Sequence, residues 1–304
     1  MPIVHTFQVG RLRCHALEGG LQRLDGGAMF GVVPKPLWER KIPPDERNRI
    51  PLAMRCLLVE HPGGPVLIDT ALGDKDDAKF RDIYGIQNAG VEGPTLLHDA
   101  LHLAGFSPDD VRHVINTHLH FDHAGGNVLL ADGRNVGTAD GASVRLGFPN
   151  ATYYVQRNEL DFARHRNERT RASYLPANFE PVAEADRWAL LEGDTVVLPG
   201  ISVRLTPGHV PWHQVVLVED GGAGAAFVAD LIPTAAHLPL PYIMGYDLEP
   251  LRTLESKRWI LREAAEAGWV VVFEHDATVV SGRIVSEGKG YGLVDVVTVV
   301  EGRD

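Results

Sequence analysis

The stretch Asn116-Thr117-His118-Leu119-His120-Phe121-Asp122-His123-Ala124-Gly125-Gly126-Asn127 places three imidazoles and a carboxylate within six residues, directly after residues 111–115. Residues 111–115, with Val111, Val114 and Ile115 apolar around Arg112 and His113, read as a short buried strand, and strand ends are where functional side chains collect on a rigid scaffold. Imidazole and carboxylate are good ligands for zinc and similar divalent ions. Residues two apart on an extended chain point the same way, so His118 and His120 can grip one ion. Asp122 and His123 then turn toward a second position. A chance meeting of four such groups on a solvated loop is the weaker reading.

Outward from this stretch, ligand-type residues follow other predicted strands. They are His209 in Thr206-Pro207-Gly208-His209, Asp230 in Phe227-Val228-Ala229-Asp230, and His275 in Phe273-Glu274-His275-Asp276. Taken singly, each has a plain structural explanation: a turn residue, a cap or a satisfied core histidine. Upstream, Val66-Leu67-Ile68-Asp69-Thr70 is an apolar strand closed by a carboxylate.

Hydrophobic patterning predicts strands over 4–9, 12–17, 52–59, 65–68, 151–155, 188–191, 195–198, 201–205 and 269–273, with helices over 94–104, 158–165 and 247–267. A hairpin is predicted from 213–218 and 225–229 around Gly221-Gly222-Ala223-Gly224, a cluster better read as a turn than as a phosphate cradle. Residues 19–50, rich in Gly and Pro, read as a long functional loop. Met29, Phe30, Val32 and Trp38 within it suit an apolar flap over a substrate pocket. No repeat or linker is visible, so the expectation is a single α/β domain over 1–304 with a flap-like insertion at about 19–50.

The chain has 304 residues, long enough to bury a sizeable core without metal or disulfide support, so a metal cluster here serves chemistry. Lys and Arg number 29 against 40 Asp and Glu, with no basic block, which argues against a nucleic-acid partner. Only Cys14 and Cys56 occur, without CxxC spacing; this excludes a disulfide framework or a thiolate zinc site and fits a reducing cytoplasm. No basic segment leading into a long apolar run stands at the start, and no run approaches about 18 apolar residues, so neither signal peptide nor membrane association is expected.

The ordered set of His-x-His-x-Asp-His at 118–123, Pro207-Gly208-His209, Asp230 and His275 resembles the metallo-β-lactamase superfamily over roughly 55–276. The resemblance implies an α/β fold of the αββα type, a sandwich of two mixed sheets flanked by helices with the ligands at one edge. It implies two divalent metal ions, zinc first, with manganese, iron or cobalt as alternatives. His118, His120 and His209 would hold one, and Asp122, His123 and His275 the other, with Asp230 bridging. Asp69 matches an aspartate that supports the ligand loop from behind. His213 matches the second histidine of a PGHxxxH motif, better suited to support than to ligation. The implied chemistry is hydrolysis by a metal-bridging hydroxide, with Asp122 both ligating and orienting it.

Within the superfamily, Asp230 stands where secreted β-lactamases carry Cys or Ser. The basic cluster that glyoxalase II enzymes use for glutathione has no clear counterpart. Segments 118–127, 206–214 and 230–237 look most like the branch of quorum-quenching lactonases and methyl-parathion-type organophosphate hydrolases. One departure matters: those lactonases carry a tyrosine three positions after the bridging aspartate, where this chain has Pro233. His237 and Tyr242 are the candidates to supply the missing donor. The expectation is a cytoplasmic binuclear hydrolase that opens a lactone or cleaves an ester on a small molecule with an apolar group, with a homodimer allowed. The alternatives are an organophosphate hydrolase, a glyoxalase II-like thioesterase and, from a different class, a mononuclear iron persulfide dioxygenase. A complete ligand set argues against a metal-binding scaffold without turnover.

Overall fold

The computed structural model describes residues 3–131, 143–288 and 290–299, which include every candidate residue named above. Contacts divide the chain into two compact units. The first comprises Met1–Gln8, Leu12–Gln22 and Met54–Thr195, and the second Val9–Arg11, Arg23–Ala53 and Val196–Asp304.

In chain order the strands are β1 (Val4–Val9), β2 (Leu12–Asp25), β3 (Arg49–Glu60), β4 (Val66–Ile68), β5 (His113–Ile115), β6 (Val128–Leu130), β7 (Val144–Leu146), β8 (Thr152–Gln156), β9 (Trp188–Leu191), β10 (Thr195–Leu198), β11 (Ile201–Leu205), β12 (Gln214–Asp220), β13 (Ala223–Phe227), β14 (Val270–Val272), β15 (Val279–Glu287) and β16 (Gly290–Thr298). Helices α1 (Gly26–Phe30) and α2 (Lys35–Trp38) follow β2, and α3 (Ala78–Tyr84) and α4 (Leu96–Leu103) lie between β4 and β5. The short α5 (Phe121–Ala124) follows β5, α6 (Arg157–Arg164) and α7 (Glu180–Glu184) lie between β8 and β9, and α8 (Pro250–Ala267) lies between β13 and β14.

One seven-stranded sheet runs β1-β2-β3-β4-β5-β8-β9, and a second runs β10 to β16 in chain order. Both are mixed. In the first, β3 and β4 pair antiparallel while β4, β5, β8 and β9 pair in parallel. Parallel strands covered on both faces need continuous apolar runs, and Val66-Leu67-Ile68 is fully buried accordingly. In the second, only β13 and β14 are parallel among the pairs from β11 to β16. A parallel pair requires a crossover, which α8 provides. Two large mixed sheets with helices are the fold class that the resemblance implies.

Each unit has its own apolar core. In the first, Leu97, Ala100 and Leu101 of α4 pack with Met54, Cys56, Leu58, Leu67 and Val114. In the second, Ile260, Leu261 and Ala264 of α8 pack with Val215, Val271, Phe273 and Ile284. Each large aliphatic side chain removed from water contributes about 1.5–3 kcal/mol, so these clusters are what hold the strand ends in place.

Three points need correction or addition. Residues 19–50 are not a long irregular loop: β2 continues to Asp25, α1 and α2 follow, and β3 begins at Arg49. The Asp25 carboxylate caps α1 by accepting from Ala28 N at 2.8 Å, and Pro34 precedes α2 with its fixed backbone. The second is an addition, the strand pair β15 and β16, for which the sequence pattern after Asp276 gives no clear alternation. Thirdly, the helix predicted from residue 247 starts at Pro250, which frees Asp247 for another task. Gly221 and Gly222, both at positive φ, turn the chain between β12 and β13 as expected. Among the described residues, no helix is long and apolar enough to cross a membrane.

Candidate metal centre

In the first unit the ligand stretch leaves β5, runs extended through His118 and His120, and closes into α5. Its candidate ligands are His118, His120, Asp122 and His123. The rings of His118 and His120 lie 4.5 Å apart between centroids, and those of His118 and His123 4.0 Å. Asp69, at the end of β4 with φ of 53°, is fully buried and turns its carboxylate into the base of the loop. It accepts from Thr117 N at 2.8 Å, from Thr117 Oγ1 at 2.6 Å and from His123 Nδ1 at 3.0 Å.

These contacts fix tautomers. The Thr117 hydroxyl gives its proton to Asp69, so at 3.2 Å from Thr117 Oγ1 it is His118 Nδ1 that donates. His123 Nδ1 donates to Asp69. In both rings Nε2 is left with its lone pair, the form a metal ligand needs.

The second unit repeats this arrangement with different parts. Asp230 follows β13, His209 follows β11 and His275 follows β14. His209 Nδ1 donates to Asp247 Oδ1 at 3.0 Å, and Thr253 Oγ1 of α8 steadies the other oxygen of Asp247 at 2.7 Å. His275 Nδ1 donates to the carbonyl of Ala53 at 2.7 Å. Both Nε2 atoms then point at the same carboxylate: His209 at 2.8 Å from Asp230 Oδ2, and His275 at 2.9 Å from Oδ1. A lone pair facing a carboxylate oxygen at that distance is repulsive unless a proton or a cation lies between them. Burial pushes the His209 ring toward neutrality, but Asp230 and Asp247 outweigh it and hold the pKa up at about 10. The donor set therefore asks for positive charge, and a divalent ion fits it.

The remaining sequence candidates fall out as follows. Asp122 is buried; one of its oxygens accepts from the amide of Gln22, and the other lies 3.8 Å from His123 Nε2. His213 is buried and pairs through Nδ1 with Thr206 Oγ1 at 2.8 Å. His237 requires correction as a substrate-facing donor. It is fully buried, with Nδ1 at 2.7 Å from Thr234 Oγ1 and Nε2 at 2.9 Å from the carbonyl of Met29, so both ring nitrogens are committed. Burial pulls its pKa down to about 3. Tyr242 is half-buried, its ring edge-on to Phe30 at 6.1 Å.

Met29 and Phe30 are buried with Trp38, Ile50, Leu52 and Met244, and Phe30 is stacked between Trp38 and His237 at 5.4 and 4.5 Å. Neither is an open flap surface, because the short helices give their side chains a core to fill. Val32, 92% exposed, is the one of the three available to a ligand.

Sequence reading missed several supports. Glu159 of α6 is fully buried and accepts from Leu119 N at 3.0 Å and from the hydroxyl of Tyr174 at 2.8 Å; the Tyr174 ring packs edge-on to His120 at 4.6 Å. Gln22 and Asp247 belong with them. None sits in a motif, and Asp247 looks from sequence like the start of a helix.

Imidazoles with oriented Nε2 atoms, set beside carboxylates at strand ends in each unit, are donor groups that could hold metal ions. The chain belongs to the metallo-β-lactamase superfamily, whose family model matches residues 51–275. It is 30% identical to the N-acyl homoserine lactonase AttM of Rhizobium radiobacter over 74% of this chain and 80% of that protein. It is 32% identical to the N-acyl homoserine lactonase AiiA of Bacillus thuringiensis subsp. kurstaki over 58% of this chain, spanning 62% of that relative's length. A probable metal-dependent hydrolase from Staphylococcus aureus superposes with a TM-score of 0.85 at 26% identity, covering 98% of this chain and 99% of that one.

Proposed function

We propose that this chain is a binuclear metal-dependent hydrolase that opens a lactone ring, with N-acyl homoserine lactones, for which its bacterial relatives are named, as the first class to test. The reading rests above all on Asp230, whose two oxygens are turned toward two different imidazoles. His118, His120 and His209 hold one ion, Asp122, His123 and His275 hold the other, and Asp230 serves both. Nitrogen and oxygen donors dominated by imidazole favour zinc over magnesium or calcium. When bound, the ion pair supplies an acidified water and polarises the carbonyl under attack.

The chain's own groups do the rest. Asp122 takes the proton of the attacking water and returns it to the ring oxygen as the C–O bond breaks, so the product leaves as a hydroxy acid. Gln22 holds that carboxylate in register through its amide. Tyr242 stands in for the tyrosine replaced by Pro233 and donates to the carbonyl oxygen, whose charge grows in the transition state. Val32, exposed on the surface, meets the apolar part of the substrate. Cys14 and Cys56, both buried, suit a reducing compartment, and we place the protein in the cytoplasm.

The test is metal-loaded protein assayed on a lactone series by proton release, with ions counted by elemental analysis. Two ions per chain and ring opening are expected. One iron per chain with oxygen consumption on a persulfide would replace this reading.

A further inference from the structure

Lys257 lies on α8 with no exposed surface. Its Nζ donates to the backbone carbonyls of His237 at 2.7 Å, Pro239 at 3.0 Å, Leu240 at 3.4 Å and Tyr242 at 2.7 Å. A buried ammonium is costly unless its charge is met, and here carbonyl dipoles meet it. All four belong to the segment 231–247, which carries the end of the 3-10 turn Ala229–Leu231 and the 3-10 turn Ala235–His237 and is otherwise irregular.

That segment is tied to the ligands at both ends. It begins immediately after Asp230, and His275 N donates to Pro233 O at 3.0 Å. It ends at Asp247, the acceptor for His209 Nδ1, and Leu248 N donates to His209 O at 3.0 Å. Its middle carries Tyr242 and is gathered by one side chain.

We propose that Lys257 is a positioning residue for the reaction: by clasping the carbonyls of residues 237, 239, 240 and 242 it sets the path of segment 231–247 and the placement of Tyr242 against the substrate carbonyl. The proposal rests on the hydrolase reading above. Arginine cannot substitute, because a planar fork of donors does not match a compact cage of carbonyls around one nitrogen. Glutamine keeps part of the donor capacity and methionine keeps only the length.

Hydrogen exchange on the metal-loaded protein reads the clasp directly. In Lys257→Gln, faster exchange confined to 231–247 is expected, with metal content unchanged. Unchanged exchange there overturns the proposal, and so does loss of protection spread through α8 and the second sheet. Lys257→Met should exaggerate the local effect; should it not fold, Lys257→Gln carries the test. Kinetics then read the link to Tyr242. Lys257→Gln should lower kcat on lactones about tenfold in the wild-type background and less than about twofold in a Tyr242→Phe background, because a residue acting through another has nothing left to add once that other is gone. Equal losses in both backgrounds overturn the link. Wild-type protein that opens no lactone counts against the lactonase reading, while hydrogen exchange still decides the clasp.

Discussion

The ligand stretch 118–127 and the segment 231–247 are both set against metal-ligand candidates, and they are held still by opposite means. The first packs its donors into a short strand-to-helix turn, with Asp69 directly behind it taking Thr117 and His123 at once. The second has almost no regular structure. It hangs on several separate groups: Met29 O for His237, Asp276 Oδ2 for Ala235 N at 2.9 Å, and Lys257 for four carbonyls. One carboxylate ties two points of a stretch whose own backbone turns into a helix, whereas a segment with little regular structure is tethered at several separate points.

The largest effect expected is at Asp230. Asp230→Asn removes the charge shared by His209 and His275 and should lower turnover on the order of 10³-fold, with elemental analysis falling toward one ion per chain. Retention of two ions would break the bridging assignment. Next comes Tyr242→Phe, which should lower kcat on lactones by about 10²-fold, as loss of an oxyanion donor does, while metal content stays whole. Unaltered kcat would remove Tyr242 from the chemistry and leave the segment a purely steric role. The two modes of support are then compared through their orienting carboxylates: Asp69→Asn and Asp247→Asn should each weaken metal binding by about 10–100-fold. Competition with a chelator should show Asp69→Asn loosening the ion held by His123 and Asp247→Asn the one held by His209. If either change empties both sites equally, the ligand sets are not separable in the way proposed.

The contrast also explains what was legible beforehand. Histidines and an aspartate two or three apart at a strand end announce themselves, because the spacing alone makes them neighbours. Asp69 was readable because it closes an apolar strand. Asp247, Gln22, Glu159 and Tyr174 were not, since each acquires its partner only through tertiary packing. For the same reason His237 is misread from sequence: its place in the loop after Pro233 suggests a substrate donor, but the Met29 carbonyl that captures it lies 208 residues away. Short helices in 26–38 were hidden by Gly and Pro, which here cap and start them. In β15 and β16, Gly282, Gly290 and Gly292 interrupt the alternation by which strands are recognised.

The smallest effect separates the corrected role of His237 from the one first expected. Its Nε2–H donates to Met29 O and its Nδ1 accepts from Thr234 Oγ1, so a second proton would break the Thr234 contact inside a buried site that already holds Lys257. The folded pKa is about 3, against an ordinary value of 6.5. Above pH 6.5 the ring is neutral in folded and unfolded chains alike and stability does not depend on its titration. Between pH 6.5 and 3 the unfolded chain binds a proton that the folded chain refuses, so stability falls as pH falls, by at most about 1.4 kcal/mol per pH unit from this group. His237→Gln keeps an amide donor for Met29 O but cannot take up that proton. Urea unfolding of wild type and variant from pH 7 to 4 should therefore give a difference that is flat above about 6.5 and changes steadily in the variant's favour below it. The ligand histidines titrate in both proteins and cancel in the difference. Parallel curves across the whole range would mean that the ring is charged or solvated in the folded protein, and its role as a substrate-facing donor would return.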